Sequence, residues 1–189
     1  MDTLNNFVTD AIRTESTIDN VIVSPELLGA VMAINIASGQ MLDQIKKHIF
    51  YGREYNTTVF QDKFEEIVDA LSALNGAHPE HSEEVALTVN PRLFHAIIGM
   101  ATESTELLEA LDFTGEKMDG VNLLEECFDM DWYQFILLDE LGADLKQVWK
   151  TGFAKLKKRY PEKFTSENAL ERDLDGERKI LETVETNNS

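Results

Sequence analysis

Two stretches of this chain begin alike and then keep the same apolar rhythm, which narrows the fold to repeated helices. Ser24-Pro25 and Asn90-Pro91 each set a residue able to cap a helix before a proline suited to the first helical turn. The two prolines stand 66 residues apart, and at that shift the following residues match without gaps. Leu27-Leu28 falls on Leu93-Phe94, Ala30-Val31-Met32 on Ala96-Ile97-Ile98, Ser38 on Ser104, and Leu42-Asp43 on Leu108-Glu109. Farther on, Phe64 to Asp69 matches Leu124 to Asp129, with a loop six residues longer in the first copy. Amphipathic helices resemble one another through pattern alone. Agreement that extends to caps and small residues points instead to a duplicated helical hairpin.

With four prolines and few alternating β-branched runs, the chain is expected to be all-α, a helical bundle with a degenerate internal hairpin repeat. Long helices are predicted near residues 25–50, 57–75, 91–112 and 120–141, with shorter ones after 143 and a polar, charged one from about Ser166 to Leu181. One domain over residues 1–189 is the simplest organisation at this length. The degenerate repeat occupies about 25–75, and the intact repeat with its basic tail about 91–182. The stretch from Gly76 to His81 is the clearest break, and Gly115 to Gly120 joins the last two long helices.

The second copy carries two pairs of carboxylates, Glu103/Glu106 and Glu126/Asp129. Residues three apart share one helix face, so two such helices packed together would gather four hard oxygen donors. Mg²⁺ favours such donors and leaves positions for water and phosphate oxygens. Among 35 acids, many such pairs are merely solvated faces, so context must decide. Val121, Leu124, Phe128, Trp132 and Phe135 recur as a core stripe, beside a polar stripe of Asn122, Glu126, Asp129 and Tyr133. On the other segment Gly99, Glu103, Glu106 and Ala110 line up. Acids bordered by small and aromatic residues suit a cavity wall. In the first copy the repeat sets Ala37 and Gln40 where the second has Glu103 and Glu106. Glu66 and Asp69 would therefore face residues unable to complete a metal site.

A formal net charge of −18 disfavours nonspecific binding to nucleic acid or anionic membrane. A nucleotide would need local cations, and the basic cluster from Lys155 to Arg159 supplies them, although such a cluster also suits a helix C-terminus. Lys155 and Arg159, four apart, share a face. The single cysteine, Cys127, reads as a core thiol. His78 and His81 read as solvated loop residues, and His48 and His95 as packing or surface groups. Neither a basic-apolar leader nor a membrane-length apolar run occurs, so the cytoplasm is the expected compartment.

Glu125-Glu126-Cys127-Phe128-Asp129-Met130-Asp131-Trp132-Tyr133, preceded by Glu103 and Glu106, resembles the acidic motifs of the all-α, MazG-like nucleoside triphosphate pyrophosphohydrolases. Lys155 to Phe164 resembles the K-L-x-x-R-Y-P-x-x-F run that follows in that superfamily, and Lys46 to Arg53 is similar to phage-type members. The resemblance implies hydrolysis of a nucleoside or deoxynucleoside triphosphate to the monophosphate and pyrophosphate, in remodelling of a nucleotide pool. It implies Mg²⁺, or Mn²⁺, held by Glu103, Glu106, Glu126 and Asp129, with Glu103 and Glu126 at the catalytic centre. It also implies substrate contacts from Asn122, Lys155, Lys158 and Arg159, and a homo-oligomer, dimer or higher. The repeat leaves a pseudo-dimeric monomer as the alternative. dGTP is one candidate substrate; branches acting on dUTP, dCTP or phosphoribosyl-ATP share the same carboxylates. Phe128 stands where the family has glycine, Gly152 where it often has asparagine, and Thr102 where some branches carry a further acid. The first of these would narrow the space near a metal. With the degenerate first copy, these departures raise the alternative of a nucleotide-binding regulator with little turnover.

Overall fold

The computed structural model describes residues 3–77, 80, 82–111 and 118–186; His78, His81 and Gly115 lie outside that set. Its helices in chain order are α1 (Thr3–Ile12), α2 (Pro25–Tyr51), α3 (Thr57–Gly76), α4 (Pro91–Ala110), α5 (Gly120–Leu141), α6 (Leu145–Arg159), α7 (Ser166–Leu170) and α8 (Leu174–Leu181). A two-residue antiparallel ladder joins β1 (Ile22–Val23) to β2 (Val85–Ala86). The chain is all-α in class, and the four long helices fall where their capping and periodicity place them. The side chain of Ser24 accepts from the Leu27 N–H at 3.2 Å, and that of Asn90 from the Arg92 and Leu93 N–H groups. Each cap satisfies amide donors that the first turn leaves without a partner.

Three details differ from the sequence reading. Helix α1 was not foreseen. The expected helix from Ser166 to Leu181 is broken in two, because the Asp173 carboxylate accepts from the Gly176 N–H at 2.9 Å and so starts α8 afresh. The extra length of the first hairpin lies in helix, not in loop. α2 has 27 residues against 20 in α4, and Asp43 supports the extension through ion pairs to Lys46 and Lys47. α2 ends only where Gly52 takes a left-handed φ of 67°.

The chain divides into two compact units, one holding each repeat. In the unit of residues 20–88 and 162–172, α2 and α3 pair as a hairpin and α7 packs on α2, where the Tyr51 and Phe164 rings lie 5.5 Å apart. Ala30, Ala37 and Ala70 are buried, so close approach of the backbones rests on small residues. An apolar cleft of about 570 Å³ lies between Met41, Ile45, Tyr55, Phe60 and Phe64. Glu66 and Asp69 do not face Ala37 and Gln40. Both are exposed, and Glu66 pairs with Lys63 on its own helix. α3 turns Lys63, Ile67, Ala70 and Leu74 inward instead, a stripe that the acids miss by one position.

In the unit of residues 1–19, 89–161 and 173–189, α4 and α5 run antiparallel: Arg92 near the start of α4 reaches Glu140 near the end of α5. α1 lies on α5, and Ala11, Phe135, Leu138 and Leu145 form the buried core with Val8, Trp132 and Val148 around it. The Trp132 indole N–H donates to the Thr14 hydroxyl at 2.9 Å. Arg92 grips Glu15 through two bonds, of 2.9 and 2.7 Å, and turns its remaining nitrogen to Asp139 and Glu140. The expected core stripe is only half buried. Phe135 is enclosed, but Val121, Leu124 and Phe128 are 77, 73 and 62% exposed, because α1 meets α5 nearer its C-terminal end. Cys127 is likewise exposed rather than a core thiol, since it follows Glu126 around the helix and away from α4. Among the described residues no helix is long and apolar enough to cross a membrane.

Candidate metal centre

The polar stripe of α5, not its apolar one, faces the seam with α4. Opposite each other along that seam come Arg92 and Glu140, then Gly99 and Tyr133, then the acids. Ligand oxygens of Glu103, Glu126 and Asp129 all lie within 4.8 Å of one another. Donors around an octahedral Mg²⁺ stand roughly 3–4 Å apart, given bonds of about 2.1 Å. A slight closing of three flexible side chains would therefore suffice, and the donor set fits a hard divalent cation. Glu106 is exposed and lies outside this trio, although its charge is felt at Glu126. Asn122 sits one turn before Glu126 on the same face, half-buried.

Glu126 is buried, with 6% of its surface exposed. Its pKa is raised, first by that burial, then by the charge of Glu106, by a hydrogen bond shared with Glu103, and by the charges of Glu103 and Asp129. Each cause is one that a cation would relieve. The Tyr133 phenol is raised too, by burial and then by Glu103, Asp129 and Glu106. Its ring occupies space that only a glycine leaves: a Cβ on Gly99 would lie 2.2 Å from it. Gly99→Ala should therefore lower stability by about 1–2 kcal/mol, overpacking outweighing the gain in helix propensity. Calorimetry checks this as a Tm lowered by roughly 2–8 °C. Tyr133→Leu in the same chain should restore most of the loss.

Two residues of the basic cluster are engaged in ion pairs of their own. α6 packs with α8 and α1. The Arg159 guanidinium donates to both Glu177 oxygens, at 2.8 and 2.6 Å, with Glu177 almost wholly enclosed. Glu177 holds the Arg159 pKa above its ordinary value. Lys158 pairs with Asp173 at 2.7 Å, while Lys155 is half-buried. None of the groups that shift Glu126 belongs to α6. Phe128 does not crowd the carboxylates either. It lines a cavity of about 190 Å³ with Phe7, Ala11 and Trp132, on the α1 side of α5. His95 packs edge-on to both Trp132 and Tyr133, in keeping with a packing role. The pairing of Gly99 with Tyr133 was missed in the sequence, although both stood in the stripes that flank the acids.

No protein-family model matches the chain, and no curated protein or solved structure matches it.

Proposed function

We propose that the seam of α4 and α5 holds Mg²⁺, or Mn²⁺, and that the protein hydrolyses a nucleoside or deoxynucleoside triphosphate to the monophosphate and pyrophosphate. The observation that carries this reading is the convergence of Glu103, Glu126 and Asp129 on one helix seam, with Glu126 buried. Carboxylates are almost never buried without a partner, and here the near neighbours of Glu126 are other acids. A cation bound there would polarise phosphate oxygens and lower the pKa of a bound water. The chain's own part is to fix three oxygens on two rigid helices, with Glu106 close enough to add charge and Asn122 an amide one turn away. An arrangement on the fold of the MazG-like pyrophosphohydrolases belongs to the same proposal, as does a role in a nucleotide pool.

Substrate phosphates would draw on Lys155 first, since Lys158 and Arg159 already serve Asp173 and Glu177. Lys155→Ala should weaken triphosphate binding about tenfold, the size of a charge-assisted hydrogen bond, and leave the affinity for metal alone unchanged. Titration with each ligand checks both halves. The internal pairing of Arg159 is also the observation that favours the second reading, a nucleotide-binding regulator with little turnover.

Association with a second copy completes the proposal, because Val121, Leu124 and Phe128 present a row of apolar side chains on α5. Sedimentation at micromolar concentration tests it; a monomer would favour a chain that acts as its own pseudo-dimer. The central experiment is pyrophosphate release from dGTP, dUTP, dCTP, the ribonucleotides and phosphoribosyl-ATP, with and without Mg²⁺. Release from none of them, alongside tight nucleotide binding, would select the regulator.

A further inference from the structure

Tyr133 is clamped on three sides, yet its hydroxyl is left without a protein partner. The ring lies against Gly99, closely enough that a single added methyl would overlap it. Trp132 stands edge-on with centroids 4.8 Å apart, and His95 edge-on at 5.4 Å. Among the described residues the phenol makes no hydrogen bond, and since no buried polar side-chain atom lacks a partner, the hydroxyl is open to solvent. The direction of the side chain gives the reason. Helical side chains lean towards the helix N-terminus, so on α5 the phenol leans towards Asp129. On α4 its contact, Gly99, lies one turn before Glu103.

Carboxylates only accept hydrogen bonds, and so do phosphate oxygens. A centre built of acids alone therefore gives nothing to those ligand oxygens that a cation does not reach. Tyr133 supplies a neutral donor next to the trio, already fixed by its packing, so that little conformational freedom is lost when it engages. We propose that the Tyr133 hydroxyl donates to a non-bridging phosphate oxygen of the triphosphate held at this centre. The inference rests on the function proposed above, and adds to it a substrate contact from Tyr133, at the end of the acidic run.

Tyr133→Phe tests it, because the ring, its fit against Gly99 and both edge-on contacts are retained while the hydroxyl alone is removed. Three quantities are measured on the full chain. Mn²⁺ affinity without nucleotide, by titration calorimetry, should stay within about twofold of wild type, and the melting temperature should not move. Affinity for an α,β-methylene deoxynucleoside triphosphate in the presence of Mn²⁺ should fall about ten- to a hundredfold, the range for one hydrogen bond to a charged group. Equal analogue affinity in both proteins overturns the contact and leaves the metal centre standing. A wild-type protein that binds neither Mn²⁺ nor the analogue overturns the centre, and the contact with it.

Discussion

Glu126→Gln should reduce Mg²⁺-dependent pyrophosphate release at least about a hundredfold while raising the melting temperature of the metal-free protein. Both effects follow from one position. Glu126 is the buried member of the trio, so the variant loses the anionic ligand least replaceable by water. Altering groups that merely support a metal ligand already costs about 10–100-fold, and a ligand itself should cost no less. Without metal, the same carboxylate is buried among acids, and a neutral amide removes that repulsion. Glu66→Gln is the matched control: Glu66 is exposed and paired with Lys63, so turnover and melting should both stay near wild type. Comparable loss of turnover in the two variants would mean that the first hairpin contributes to the centre.

The sign of the pH dependence follows as well. The folded protein holds the Glu126 proton more tightly than the unfolded chain does, so this group makes metal-free stability fall as pH rises from the ordinary carboxylate range to the raised folded value. Asp43 and Asp173 act oppositely. Their pKa values are lowered, chiefly by Lys46 and by Lys158 respectively, so their stabilisation is present above the ordinary carboxylate pKa and lost below it. Metal-free protein should therefore melt highest at mildly acidic pH. Mg²⁺, which displaces the proton, should move that optimum upward. Melting curves with chelator and with Mg²⁺ over a pH series check both, and Glu126→Gln should flatten the difference.

The largest loss of stability is expected at Arg92. Its guanidinium is the partner of Glu15, whose side chain is only 3% exposed, and it also reaches Asp139 and Glu140. The bonds to Glu15 lead the causes that hold Arg92 above its ordinary pKa. Arg92→Ala strands a buried carboxylate and should cost about 3 kcal/mol, the low end for breaking an enclosed ion pair because Arg92 is partly exposed. For a chain of this length that is a fall in Tm of roughly 6–12 °C. Adding Glu15→Gln should recover a large part, since the stranded group is then neutral. No recovery would mean that the arginine acts through packing rather than through charge.

What the sequence made legible was local. Caps at Ser24 and Asn90, and apolar spacing along each segment, fixed the long helices because both act within a turn or two. Three of the four acids also converge as their spacing suggested, since i, i+3 pairs on facing helices have few other places to point. The remainder depended on distant neighbours. Glu15 and Arg92 are far apart in the chain, and nothing local announces their bond. The acids of α3 differ from those of α5 only in how the helix is rotated, which the packing of Ala70 and Ile67 against α2 decides. The basic cluster looked available because its partners, Glu177 and Asp173, lie beyond a proline and a second turn of chain. Val121 and Leu124 looked internal because a periodic pattern marks a face without saying what covers it.

The fit of Tyr133 over Gly99 has a consequence for how this chain can change over generations. The two positions share one fixed volume, so neither is free to drift alone. A mutation that enlarges residue 99 costs least in a background where residue 133 is smaller, and a smaller residue 133 leaves a gap that a larger residue 99 can fill. Among descendants, size at the two positions should covary inversely. Because the shared space abuts Glu103 and Asp129, lineages that have exchanged it are also those in which the preferred ligand is expected to have shifted.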